Sequence, residues 1–208
     1  MSLGAHGAYP LTQGRIGWPA AGIGPWFRRN GAQGVEIKDF FHGSALNAVD
    51  AKGRVSVPAT FRSVIERRAH RALIPGEFPS KDKIVLIGEH ERLPCLQAFD
   101  PSYSLMLFEN VSGRVDAMGD GVDRMDALDD AQLDVFGAAN EYNYDDAGRM
   151  VLPPLLRMIA GLDGLAYFVG GGATFQIWNP DRFLEHCADK PRLARNLQFL
   201  LAERAGKA

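Results

Sequence analysis

The sequence predicts an α+β fold assembled from one structural unit used twice, and three observations carry that reading. The first is an internal repeat. Asp50-Ala51-Lys52-Gly53-Arg54-Val55-Ser56-Val57-Pro58 returns 95 residues later as Asp145-Asp146-Ala147-Gly148-Arg149-Met150-Val151-Leu152-Pro153, with Arg62 and Arg157 following at equal distances. The second is a match at an offset of 79 between Gln97-Ala98-Phe99-Asp100-Pro101 and Gln176-Ile177-Trp178-Asn179-Pro180. The third is periodicity, which passes from strand-like to helix-like in the same order in each copy. A single hairpin cannot bury its own apolar face, so the duplication implies an internal pseudo-dimer sharing one core.

Each element follows from its letters. Asp50 with Gly53, and Asp145 with Gly148, place a turn-forming carboxylate before the residue type that adopts a left-handed backbone without strain, so both read as tight hairpin turns. Beyond the first turn Arg54 and Ser56 alternate with Val55 and Val57, which puts the valines in the core and Arg54 outside until Pro58 ends the strand. A short helix follows. Its apolar positions Phe61, Val64 and Ile65 are matched in the second copy by Leu156, Ile159 and Ala160, and Gly161 supplies a stop. Copy one carries 16 additional residues, assigned to a surface loop from Arg67 to Lys83 ahead of an apolar strand, Ile84 to Ile87.

Asp100 and Asn179 are suited to cap helices that begin at Pro101 and Pro180, so each unit reads hairpin, helix, two strands and an outer helix. Gly170-Gly171-Gly172 lies between two predicted strands without the Lys-Ser/Thr of a phosphate loop, and reads as a hairpin turn. Asp129 to Asp134 reads as an acidic helix start. After Pro191, leucines 193, 197, 200 and 201 mark an amphipathic helix from Arg192 to Arg204, expected to pack on the core, with a subunit contact as the alternative. Residues 1–39 are rich in Gly, Pro and Ala with no sustained apolar period, which predicts a disordered extension.

Composition fits a soluble protein of a reducing cytoplasm: 208 residues, 46% hydrophobic and 23% charged, with no apolar run able to span a bilayer. Cys95 and Cys187 lack C-x-x-C spacing and read as buried thiols rather than a disulfide or metal site. The five histidines are scattered and no nucleophile pattern occurs, so neither an enzyme nor a cofactor is expected. Asp116 to Asp123 resembles a calcium loop only superficially, because Met118 holds a ligand position and Ala127 stands where the bidentate glutamate belongs.

The net charge of −2 is unevenly spread. Asp50 to Arg71 holds six basic residues against two acids, while Glu109 to Asp146 holds eleven acids against Arg114 and Arg124. At physiological salt the Debye length is about 8 Å, so distant acids cancel a basic face only in part. Asp50, Gly53, Asp145 and Gly148 are explained by turn geometry. Lys52 has no basic equivalent, since Ala147 holds that place, and Arg54 presents a planar fork able to grip phosphate or a guanine edge. Lys52 and Arg54 are therefore the candidate DNA contacts. Arg149, flanked by Asp145 and Asp146, is expected to pair within the protein or at a subunit contact.

With its two Asp-x-x-Gly-Arg motifs, each followed by a strand, a proline and a helix, and with Phe41-His42-Gly43-Ser44 at its start, the stretch from Phe40 to Arg182 resembles the MraZ family. The resemblance implies two tandem swapped-hairpin units of the SpoVT/AbrB type, residues 40–98 and 138–182, forming a pseudo-dimeric small β-barrel with flanking helices. A helical and acidic connection, 99–137, and a carboxyl-terminal helix, 183–208, complete the division. The implied function is a cytoplasmic, nucleoid-associated transcriptional regulator with no membrane partner. It would bind promoter direct repeats in double-stranded DNA, usually as a repressor of its own cell-division and cell-wall gene cluster, and assemble as a ring-like homo-oligomer. Two departures stand out: His42 where the family commonly has arginine, and an acidic rather than basic helix before the second motif. An antitoxin-like regulator is the alternative, and it requires an extended toxin-binding tail.

Overall fold

Both repeats fold in one order. The structure, a computed structural model, describes residues 39–71, 83–118, 121 and 123–206. Repeat one comprises β1 (Ser44–Ala48), β2 (Arg54–Ser56), α1 (Ala59–Arg71), β3 (Ile84–Glu89), β4 (Leu96–Phe99) and α2 (Pro101–Asp116). After α3 (Arg124–Phe136), repeat two runs β5 (Ala139–Asn143), β6 (Arg149–Val151), α4 (Pro154–Ala160), β7 (Leu165–Gly170), β8 (Phe175–Trp178) and α5 (Pro180–His186), and α6 (Pro191–Ala205) follows.

The strands do not pair within their own repeats alone. One antiparallel sheet has the order β1-β7-β8-β4-β3-β5, and β2 pairs with β6 in a separate ribbon. Each repeat's first strand thus lies against the other's third: Ser44 faces Val169 in β7, and its equivalent Ala139 faces Gly88 in β3. Equivalent residues also meet directly, Val55 opposite Met150 and Gln97 opposite Gln176. A local twofold axis therefore passes through both pairs, and neither repeat can complete its sheet without the other.

The sheet is open, in contrast to the closed barrel expected from the sequence. β1 and β5 stand at its two ends. The strands that would have to close it, β2 and β6, are three residues long, and Pro58 and Pro153 follow closely behind them. Proline has no N–H to offer a ladder, so these strands pair only with each other. The ribbon is extended by Val57 N donating to Gly148 O (2.8 Å) and Leu152 N donating to Gly53 O (2.9 Å).

The additional length of copy one is also divided differently. Leu86 opposite Phe99 and Tyr167 opposite Trp178 are equivalent pairs, so two of the extra residues lie in the β3–β4 connection. Six of the others lengthen α1, 13 residues against 7 in α4, and the rest fall between α1 and β3, where residues 72–82 lie outside the described residues. Helix α1 continues to Arg71 and takes in the first five residues of the stretch that composition assigns to a loop. Tertiary partners explain the extension. Arg68 is buried and donates to Asp100 Oδ1 at 2.6 Å, to the carbonyls of Asp39 and Ala173, and stacks over the Phe41 ring. Removing one member of such a buried pair costs about 3–5 kcal/mol, because its partner is left charged and alone. Asp39 itself, placed by composition in the extension, binds Arg67 and Arg71 through its carboxylate; residues 1–38 lie outside the described residues.

Helix α3 begins at Arg124, earlier than the acidic run predicts, because Asp123 caps it by accepting from the N–H groups of Met125 (3.0 Å) and Asp126 (3.4 Å). Asp129 and Asp130 then lie within the helix. The caps at Asp100 and Asn179 form as expected, with proline at the first helical positions. The central core draws on both repeats: Phe41, Phe61 and Phe175 cluster with ring centroids 4.9–5.5 Å apart, over Val55 and Met150. Tyr103, Leu107, Val111 and Val115 of α2 cover one side of the fold together with Ala131 and Val135 of α3. Leu193, Leu197, Leu200 and Leu201 of α6 cover another, against Trp178, Phe183 and the two buried, free cysteines. Burial raises both thiols above the usual cysteine value, so neither is disposed to react.

Gly53 (φ +80°) and Gly148 (φ +81°) occupy the left-handed region that the turns require. A Cβ on Gly53 would lie 2.6 Å from the backbone carbonyl of Leu152, whereas on Gly148 it would meet the side chain of Arg62 at 2.6 Å. Gly53→Val and Gly148→Val should each destabilise the fold by on the order of 1 kcal/mol or more. Gly53→Val should cost more, since a carbonyl yields less readily than a side chain. Denaturant unfolding of both variants without DNA measures this, and parent-like midpoints would contradict it.

Candidate nucleic-acid interface

One carboxylate organises each turn. Asp50 Oδ1 accepts from the N–H groups of Lys52 (2.9 Å) and Arg54 (2.8 Å), while Gly53 N donates to Asp50 O (2.8 Å) and Asp50 N to Arg54 O (3.0 Å). Its other oxygen, Oδ2, receives Arg54 Nε at 2.5 Å. Repeat two reproduces every bond: Asp145 Oδ1 accepts from Ala147 N (3.0 Å) and Arg149 N (2.9 Å), and Asp145 Oδ2 accepts from Arg149 Nε (2.8 Å). The Arg54 N–H, followed by its guanidinium, holds the Asp50 carboxyl below the usual carboxylate value, and the Arg149 N–H leads the same effect at Asp145. The pairing expected for Arg149 is thus present, but Arg54 makes it too, so pairing does not set the two arginines apart.

The ribbon decides where these side chains point. Val55 and Met150 are buried beneath it, while Arg54, Arg149 and Val151 are exposed and Ser56 is half-buried on its other face. Period-two alternation places all four on that face. The Arg54 and Arg149 side chains, 59% and 65% exposed, are related by the local twofold axis.

Two further arginines reach the turns from the opposite repeat. Arg157 of α4 closes over Gly53, its Nε 2.9 Å from where a Cβ would stand, and Arg62 of α1 closes over Gly148 and donates from Nη1 to Asp146 O at 3.1 Å. Among the described residues the Nε atoms of both, though buried, have no hydrogen-bond partner. Their equal spacing after each motif marked them as equivalent in the sequence, but nothing local shows that each crosses to the other repeat. The turns also differ. Repeat one carries exposed Lys52 where repeat two has Ala147, and repeat two carries Asp146, paired with Lys83, where repeat one has Ala51. Repeat one therefore gathers Lys52, Arg54 and Arg157 around a single acid. The basic end of α1, by contrast, is committed within the protein, Arg67 and Arg71 to Asp39 and Arg68 to Asp100.

A family model described as "MraZ protein, putative antitoxin-like" matches residues 135–192, from the end of α3 to just past the start of α6. The chain is 34% identical to the transcriptional regulator MraZ of Ruegeria sp. over 148 residues, covering 70% of this chain and 80% of that protein. It is 30% identical to the transcriptional regulator MraZ of Rickettsia bellii over 155 residues, 74% of this chain and 91% of that protein. The chain belongs to the MraZ family. The protein of the same name from Gluconobacter oxydans is 31% identical over 166 residues, 78% of this chain and 87% of its own length. MraZ relatives thus align with most of this chain, beyond the second repeat that the family model covers. Among the described residues no helix is long and apolar enough to cross a membrane.

The lowered carboxyls of Asp50 and Asp145 fix the sign of the acid response. Each turn is fully stabilised by its carboxylate above the ordinary value of 3.8 and loses that contribution only as pH falls through the lower folded-state value. Carboxyl carbon NMR titration should therefore find both residues protonating below 3.8, and a midpoint at or above that value for either would contradict the hydrogen bonding described.

Proposed function

We propose that this MraZ-family chain is a sequence-specific DNA-binding transcriptional regulator that represses its own cell-division and cell-wall gene cluster from the cytoplasm and nucleoid. The observation that carries the reading is the exposed β2–β6 ribbon, from which Arg54 and Arg149 project on one face. A two-stranded ribbon fits the major groove, and arginine there can contact guanine or phosphate. The Asp50 to Arg54 turn leads the contact, because Lys52 adds a cation there and repeat two adds an acid. Arg157 supports that turn from the other repeat. The exchange of β1 and β5 between repeats supports assignment of the units to the swapped-hairpin, SpoVT/AbrB type.

An antitoxin-like role calls for an extended tail. The segment after Pro191 is instead helix α6, whose leucines are packed against Trp178 and Phe183, so no contact here favours that role.

Arg54→Ala should abolish preference for DNA from upstream of its own gene over scrambled DNA of equal length, with little change in melting temperature, because the side chain is exposed. Lys52→Ala should weaken binding less, and each loss should make the salt dependence shallower by about one unit. Titration across a salt series measures both, and parent-like affinity of the Arg54 variant would overturn the assignment.

One ribbon per chain gives few phosphate contacts, so the proposal includes a ring-like homo-oligomer engaging tandem direct repeats. Linked contacts raise overall affinity roughly 10²–10⁴-fold when box spacing matches ribbon spacing. Shifting one of two boxes by half a helical turn, about 5 base pairs, should remove most of that gain. Equal binding to one box, two in-phase boxes and two out-of-phase boxes would refute the multivalent arrangement.

A further inference from the structure

The twofold scaffold carries unlike surfaces. At three equivalent positions repeat one has Ser56, Thr60 and Ser63, whereas repeat two has Val151, Leu155 and Met158, which are 55%, 60% and 70% exposed. Nothing in the core demands this apolar set, since the buried positions between them, Val55 and Met150 or Phe61 and Leu156, are apolar in both repeats. The difference lies on the outer surface. Val151 stands out among the three because its place is fixed by the ladder: it lies directly opposite Arg54 in the ribbon, and Ser56 holds the corresponding place opposite Arg149.

From this register we infer that Val151 is a specificity-determining residue that reads the 5-methyl group of thymine in the major groove. The inference rests on the DNA-binding reading and deepens it. An exposed valine beside two guanidinium groups related by the twofold axis suits a surface that is anionic yet displays isolated apolar groups, and the thymine methyl is the apolar group a major groove offers. An apolar patch on a protein partner would offer those two guanidinium groups, each held by its own turn's aspartate yet more than half exposed, no acceptor for their outward N–H groups. The polar half of the ribbon, Ser56 beside Arg149, would hydrogen-bond to base edges instead, so one ribbon reads its two half-sites by different chemistry and gives the bound box a direction.

The test compares the full-length protein on two versions of the DNA from upstream of its gene, one with thymine throughout and one prepared with uracil in its place, which removes only the methyl groups. The parent should bind the thymine version more tightly by about threefold or more, the size of one buried methyl contact. Val151→Ser, which installs the repeat-one residue, should bind both versions alike, and Val151→Thr, which restores a methyl group, should recover the preference. Both variants should keep the parent's unfolding midpoint and oligomeric mass, measured by light scattering. Equal parental binding to both versions, with preference over scrambled DNA intact, would overturn the role of Val151 while leaving the DNA-binding reading in place. A changed mass for Val151→Ser would also overturn it, by assigning the residue to a contact between copies of the chain. Loss of preference between upstream and scrambled DNA in the parent itself would overturn the DNA-binding reading and this inference with it.

Discussion

Two aspartates hold the exposed end of this protein in place. Each divides its carboxylate, one oxygen collecting two backbone N–H groups and the other a guanidinium. A turn built this way has its shape fixed by the residue that also orients its most exposed cation, so backbone geometry and surface charge cannot vary independently. Glycine completes the constraint. Its left-handed backbone leaves room for the arginine of the opposite repeat, and a side chain at either glycine would fill that space.

The same crossing recurs at every level. Strand β1 adds to the other repeat's β7 and β5 to the other repeat's β3, β2 meets β6, β4 meets β8, and Arg62 and Arg157 each cover the other repeat's turn. The shared aromatic cluster of Phe41, Phe61 and Phe175 lies where these crossings converge. Burial of that kind makes the two repeats a single cooperative body, because the apolar faces are complementary to each other rather than to anything within one repeat. Arg68 extends the body outward by tying α1, the start of α2, the Asp39 carbonyl and the β7–β8 turn to one buried guanidinium.

On this symmetric frame the surfaces diverge. Lys52 corresponds to Ala147 and Ala51 to Asp146, and a serine and threonine side corresponds to a valine, leucine and methionine side, although the backbone bonds beneath are the same. Duplication permits this, since positions that only support the turn are held by geometry while their exposed neighbours are free to change. In the proposed function such divergence gives one chain two different reading surfaces from a single fold. The acids, meanwhile, are concentrated on α3 and its flanks, away in sequence from the repeat-one turn.

What the sequence determined by itself was local: the turn at each Asp-x-x-Gly, the alternation that sends Arg54 outward and Val55 inward, the caps at Asp100 and Asn179, and the leucine stripe of α6. Each depends on neighbours a few residues away, so a single chain of letters contains the cause. Candidate residues Lys52 and Arg54 were legible for the same reason. The tertiary structure alone decided which strand meets which, that the sheet stays open, that α1 runs on to Arg71, and that Arg62 and Arg157 change sides. It also showed that Arg54 is held by its own turn just as Arg149 is. The extension of α1, for one, comes from partners 28 to 105 residues distant, Asp39, Asp100 and Ala173, whose attraction has no signature in local periodicity. Proximity in the chain writes secondary structure, whereas closure and crossing are set by burial shared between two repeats, and that exists only once both have folded together.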